Sequence, residues 1–161
     1  MARVEANQAL QPSLIDRLID PDSAGTSWRR GYSVEQMTTA VRRDLEDLLN
    51  TRRSSEGIPE ECEELHDSIV GYGLPDLVTL NAITAEQRRS IGRLIESTIS
   101  RFEPRLKDVK ATLIGEADPK DRSIKFHVDA RLTVDPCPEV AFDTVLQLST
   151  GQYSVSEKAT S

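Results

Sequence analysis

The pattern of apolar residues changes its period at Pro104, and that change decides what kind of fold the chain can adopt. Upstream, apolar residues recur at helical spacing; downstream, they alternate with polar ones. A proline ends a helix because its ring clashes with the preceding turn and it has no N–H to donate. It also drives the residue before it toward an extended backbone. Phe102-Glu103-Pro104-Arg105-Leu106 is therefore a joint between a helical layer and a sheet. In an extended segment residues two apart point to the same side, so Glu103 and Arg105 are displayed together with opposite charge. Two readings follow: an ion pair that braces the joint, or a fixed polar fork offered to another molecule.

Helical patterns fill the stretch before the joint. Residues 1–12 carry no periodicity and are expected to form a mobile tail. Ser13 can cap a short helix over Leu14-Ile15-Asp16-Arg17-Leu18-Ile19, with Asp16 favourable to the helix dipole and Pro21 helping to stop it. Polar residues around Trp28 read as a loop. Ser33 and Gln36 have the capping-box spacing, and Val34, Met37, Val41, Leu45, Leu48 and Leu49 make one apolar stripe behind them. Turn residues Ser54–Pro59 precede a short helix expected around Glu61–Val70, with Leu65 and Ile69 facing inward. Gly71-Tyr72-Gly73-Leu74-Pro75-Asp76 is turn chemistry; it lacks the third glycine and the preceding strand of a phosphate-binding loop. Thr84 and Gln87 repeat the capping box. The stripe that follows is Ile91, Leu94, Ile95, Ile99 and Phe102, with Thr98 at its margin.

Beyond Pro104 the alternation predicts strands. Val109, Ala111 and Leu113 form the first set. Ile124, Phe126, Val128, Ala130, Leu132 and Val134 then alternate without a break against Lys125, His127, Asp129, Arg131 and Thr133. Turns at Asp118–Asp121 and Asp135–Pro138 bound that run. Val140, Phe142, Leu146 and Leu148 predict a third strand, and Tyr153–Val155 a weaker fourth. Helices first and antiparallel strands afterwards specify an α+β fold, with N-terminal helices packed on one face of a C-terminal antiparallel sheet of three to four strands. The other sheet face is polar and solvated. The expected organisation is a tail over 1–12, a single domain over 13–155 and a C-terminal tail over 156–161. The strands around Val140–Val155 are expected to supply a sheet edge to which a partner's extended arm could add.

Charge and composition narrow the function. The chain has 27 acidic and 20 basic residues, for a formal net charge of −7. A general nucleic-acid or anionic-membrane binder needs a basic footprint instead. Four doubled arginines (29–30, 42–43, 52–53 and 88–89) read first as solvated surface and second as docking points for carboxylates. No apolar run approaches membrane-spanning length, and no secretory signal pattern is visible. Cys62 and Cys137 are far apart and are expected to be free thiols. His66 and His127, without cysteines at ligand spacing, offer no metal site, and nothing predicts a cofactor. A glycosidase needs a carboxyl group kept protonated as its acid; Glu103 beside Arg105 is instead favoured as a carboxylate.

The sequences Ser13-Leu14-Ile15-Asp16-Arg17-Leu18, Arg43-Asp44-Leu45-Glu46-Asp47-Leu48-Leu49-Asn50-Thr51-Arg52, Tyr72-Gly73-Leu74-Pro75-Asp76 and Phe102-Glu103-Pro104-Arg105-Leu106 occur in that order. Together they resemble the TssE family of bacterial type VI secretion baseplates and its counterpart in contractile phage-tail wedges, often labelled "lysozyme-like". The resemblance spans about residues 13 to 150. It implies a non-enzymatic cytoplasmic protein of a baseplate docked at the inner-membrane complex. The implied partners are TssF, TssG and TssK, together with the sheath proteins TssB and TssC, and the implied role is to help nucleate the sheath. The family's Glu-Pro-Arg motif maps onto Glu103, Pro104 and Arg105, which it makes the expected partner-binding residues. The alternative, from the label, is a peptidoglycan-cleaving hydrolase.

Overall fold

The computed structural model describes residues 10, 12–19, 32–53, 58–59, 61–76, 84–115, 123–134 and 137–157. The expected loop around Trp28, the Ser54–Gly57 part of the next loop and the turn at Asp118–Asp121 lie outside them. Among the described residues four helices come first: α1 (Leu14–Ile19), α2 (Val34–Asn50), α3 (Glu63–His66) and α4 (Ala85–Phe102). Four strands follow: β1 (Leu106–Ile114), β2 (Ser123–Leu132), β3 (Glu139–Gln147) and β4 (Gln152–Glu157). They form an antiparallel meander in the order β1-β2-β3-β4, so chain order and spatial order coincide. The α+β fold expected from the sequence is the one observed.

Both long helices begin as their sequences demand. The Gln36 N–H donates to Ser33 Oγ at 3.2 Å while Gln36 Oε1 accepts from the Ser33 N–H at 2.9 Å. Thr84 and Gln87 repeat the exchange at 3.2 and 3.0 Å. Each box satisfies two N-terminal N–H groups that the helix itself leaves without partners. The α2 stripe is buried from Met37 to Leu49, with Ala40 joining it, but Val34 in the first turn is exposed. On α4, Ile91, Ile95, Thr98 and Ile99 are buried. These faces cover Ile124, Phe126, Val128, Ala130, Leu132, Val140, Phe142 and Leu146 of the sheet. Gly92 brings α4 close to the sheet: a Cβ there would lie 3.3 Å from Phe126 Cε1.

Two expectations need correction, and a short helix shows an arrangement that its sequence did not announce. The first strand starts at Leu106, earlier than alternation predicts. Leu106 and Val109 are both buried, although an odd separation should put them on opposite faces. A bulge between Lys107 and Lys110 resolves this: Lys107 pairs with Arg131 and Lys110 with Asp129, so Asp108 and Val109 together oppose Ala130. Asp108 takes φ 54 to make room, a conformation open to Asp because its short polar side chain tolerates it. Second, the helix expected around Glu61–Val70 shrinks to α3, and Leu65 and Ile69 face outward, Ile69 with 89% exposure. On α1, for which no facing was expected, the apolar residues turn outward. Leu14, Ile15 and Leu18 are 75%, 64% and 84% exposed, and Asp16 is the buried residue at 2%.

Within the span expected as a tail, Leu10 forms a single antiparallel bridge with Tyr32. Cys62 and Cys137 are both free. Among the described residues no helix is long and apolar enough to cross a membrane.

The Gly71–Asp76 turn locks onto the end of α2. The Arg53 N–H donates to the Leu74 carbonyl at 2.8 Å and the Leu74 N–H to the Thr51 carbonyl at 2.9 Å. Gly73 makes this possible, with φ 95 and no Cβ where one would sit 2.3 Å from the Thr51 carbonyl oxygen. Gly73→Ala should therefore destabilise the chain by more than about 1 kcal/mol in urea unfolding, the reverse of a Gly→Ala change at an unstrained site.

Candidate functional site

The residues flanking Pro104 are the end of a chain of alternating charges that runs across the helical layer. Glu103 is the C-cap of α4, with its N–H bonded to the Ile99 carbonyl at 2.9 Å. Its carboxylate is 4% exposed as a residue and accepts from Arg105 Nε at 2.7 Å and from the Arg105 backbone N–H at 3.2 Å. Arg105 Nη2 donates to Glu103 Oε2 at 2.5 Å and to Asp44 Oδ2 at 2.6 Å. Asp44 Oδ1 accepts from Arg43 Nη2 at 2.7 Å and Nε at 3.1 Å. Arg43 Nη2 also donates to Asp16 Oδ1 at 2.6 Å. The order is thus Glu103, Arg105, Asp44, Arg43, Asp16, and it ties the α4–β1 joint through α2 to α1.

The two acids at the ends of the chain, Glu103 and Asp16, are buried, and the three charges between them are half-buried. The hydrogen bonds that Arg105 donates to Glu103, then the negative charge of Glu103 and Asp44, push the Arg105 guanidinium above its usual value despite burial. Hydrogen bonds to Asp44 and Asp16 raise Arg43 in the same way. Burial alone would raise the Asp16 carboxyl. Hydrogen bonds from Ser13 and Arg43, with the Arg43 charge, outweigh it and hold Asp16 below the ordinary aspartate value. Tyr72 stacks edge-on against Phe102 at 5.4 Å and 69°. Burial, followed by the charges of Asp44, Asp47 and Glu103, raises its hydroxyl.

Of the three residues singled out from sequence, Glu103 is buried, Arg105 is half-buried and Pro104 is exposed. Glu103 and Arg105 do meet, so the bracing reading is realised in the isolated chain. Asp44, Arg43 and Asp16 were not anticipated as their partners. Asp44 and Arg105 are 61 positions apart and Asp16 and Arg43 are 27 apart, separations that no periodicity relates. Arg42-Arg43, read from sequence as solvated surface, is used internally at both positions: Arg42 bonds Glu46 and the Val155 carbonyl, each at 3.3 Å.

The other candidates are dispersed. His127 lies on the outer sheet face between Asp143, at 2.6 Å from Nδ1, and Asp129, at 3.1 Å from Nε2. His66 is on α3, in a different part of the fold. Among the described residues no three His, Cys, Asp or Glu side chains come together as metal ligands would. A groove of about 430 Å³ beside α2 is lined by Asp16, Tyr32, Glu35, Gln36, Thr39, Ala40 and Arg43. Glu103 does not line it. With its oxygens accepting from Arg105, Glu103 is built into the frame, not presented to a substrate.

A sheet backed by two helices, with its buried charge spent on joining elements, defines an architectural α+β module. The chain belongs to the baseplate wedge protein gp25 family, whose family model matches residues 35–137. That match takes in α2, the turn that locks onto it, α4, the joint and the first two strands. A chain from a solved structure, "The baseplate complex from the type VI secretion system", is similar at 21% identity with a TM-score of 0.50. The likeness covers 70% of this chain and 96% of that one, and it shows the fold. No curated protein sequence matches significantly.

Two outcomes follow for the charge chain. Arg105→Ala leaves Glu103 buried without its counter-charge and should cost about 3 kcal/mol in urea unfolding, more than an exposed ion pair could account for. Asp16 has a lowered folded-state value, so its contribution is present above the unfolded value of about 3.9 and is lost as pH falls through the folded one. NMR signals of Leu14–Ile19 should therefore move toward coil only below about pH 4. In Arg43→Met the same transition should occur at higher pH, because burial then acts on Asp16 with less opposition.

Proposed function

We propose that this chain is the TssE-type subunit of a bacterial type VI secretion baseplate. It joins the wedge and helps to start assembly of the contractile sheath, by protein–protein contacts and without catalysis. Family membership and the likeness to a chain of a type VI baseplate complex support the reading. The partners in this reading are TssF, TssG and TssK within the baseplate, and the sheath proteins TssB and TssC. The protein works in the cytoplasm, in a baseplate docked at the inner-membrane complex.

The observation that carries the docking reading is the outward apolar face of α1. A six-residue helix is too short to be stable alone in water. Here it is held by its acid, and its Leu14, Ile15 and Leu18 are turned to solvent. A soluble domain gains nothing from that arrangement by itself; an assembly gains a preformed apolar anchor. The charge chain connects this anchor to Glu103-Pro104-Arg105. In the proposal Pro104 and the exposed part of Arg105 meet a wedge partner while Glu103 holds them in place.

Capture of TssF and TssG by the tagged chain tests this. An Ile15→Asp/Leu18→Asp variant should retain its thermal transition and lose at least about tenfold in capture, the loss of about 1.4 kcal/mol that one buried side chain can supply. Undiminished capture would overturn docking through α1. Peptidoglycan cleavage by the purified protein, abolished in Glu103→Gln, would put the hydrolase reading first.

A further inference from the structure

The two edges of the sheet are not equivalent. β4 is an edge strand, paired on one side with β3 through Leu146–Tyr153 and Thr144–Val155. Along a strand, successive residues direct their N–H and C=O groups to alternate sides. Tyr153 and Val155 direct theirs away from β3, because α2 side chains meet them there. Asn50, the last residue of α2, donates from Nδ2 to the Tyr153 carbonyl at 2.9 Å, and its Oδ1 accepts from the Tyr153 N–H at 2.9 Å. Its Nδ2 also donates to the Glu46 carbonyl at 2.8 Å, so the amide is used from both ends and locked to its own helix. Arg42, two turns earlier, donates to the Val155 carbonyl at 3.3 Å and lies 3.8 Å from Glu157 Oε1.

Asn50 thus presents to Tyr153 the donor and acceptor that a residue of a fifth strand would present. We propose that Asn50, aided by Arg42, seals the β4 edge against strand pairing with a second copy of this chain. The occupant of an unsealed β4 edge is a second copy, because two β4 strands, Gln-Tyr-Ser-Val-Ser-Glu, can pair antiparallel with Tyr153 opposite Val155, which keeps the core-facing residues of both copies on one face. Tyr153 and Val155 already face the core and would cost nothing further to bury. β1 carries different guards, its bulge at Asp108 and its exposed Lys107 and Lys110. A partner's arm could not add at β3, which is paired on both sides. Val145, in particular, lies on β3 with Lys125 on one side and Ser154 on the other.

The test compares the full-length wild-type chain with Asn50→Ala by sedimentation equilibrium and by amide hydrogen exchange at Tyr153. Removing the seal should tighten self-association at least tenfold. In dilute solution the Tyr153 N–H should exchange faster than in wild type, and protection should return as concentration rises and the edge pairs. A folded Asn50→Ala chain that self-associates no more than wild type overturns the proposal, as does faster Tyr153 exchange that concentration does not reverse. If Asn50→Ala fails to fold, Asn50→Ser decides by the same criteria, since its hydroxyl can keep the bond to the Glu46 carbonyl but is too short to bridge Tyr153.

Discussion

The Asp44 carboxylate receives one arginine on each oxygen, Arg43 on Oδ1 and Arg105 on Oδ2. Arg43 comes from the same helix as Asp44, whereas Arg105 comes from the turn into the sheet. Through them Asp44 couples Glu103 at the end of α4 to Asp16 on α1. Charges removed from water are costly unless they are paired, and here each of the five meets at least one opposite charge within the chain, although Arg105 Nη1 is buried without a hydrogen-bond partner. The angle between helical layer and sheet is thereby held by directional bonds in addition to the apolar core. Pro104 sets the bend; the ion pairs keep it.

That arrangement explains why α1 can wear its apolar residues outside. Burial of three aliphatic side chains would ordinarily decide which face of a short helix turns inward. Asp16 overrides it because a buried acid meeting Arg43 and two Ser13 donors is worth more to the fold than a shallow apolar contact on a short helix. In the proposed wedge role the outcome would be an anchor already oriented for a partner. The same helix α2 that carries Arg43 and Asp44 on one side carries Arg42 and Asn50 toward β4. One helix therefore organises both the charge chain and the sheet edge.

Much of the fold was legible in the chain because the signals involved are local. Capping boxes at Ser33 and Thr84, a proline stop at Pro104 and unbroken alternation from Ile124 to Leu132 each act within a few residues. The family resemblance was legible too, since it rests on short motifs in a fixed order. The β1 bulge was not, because alternation read from Val109 onward gives no reason to bring Leu106 onto the same face. The helix expected through Ile69 failed for a related reason: apolar spacing over so short a segment is satisfied as well by a turn whose side chains stay exposed.

From its sequence alone this protein was determined to be helices followed by an antiparallel sheet, jointed at Glu103-Pro104-Arg105 with the two charges on one side. Tertiary structure decided what those charges and their neighbours do. Asp44 meets Arg105 across 61 positions, and Asn50 meets Tyr153 across 103. Pairings of that kind depend on where packed elements come to rest, and only the closed core brings α2 against both the joint and the edge of the sheet. Period and capping act through covalent neighbours and can be read along the chain; a hydrogen bond between distant side chains exists only after the backbone has been placed.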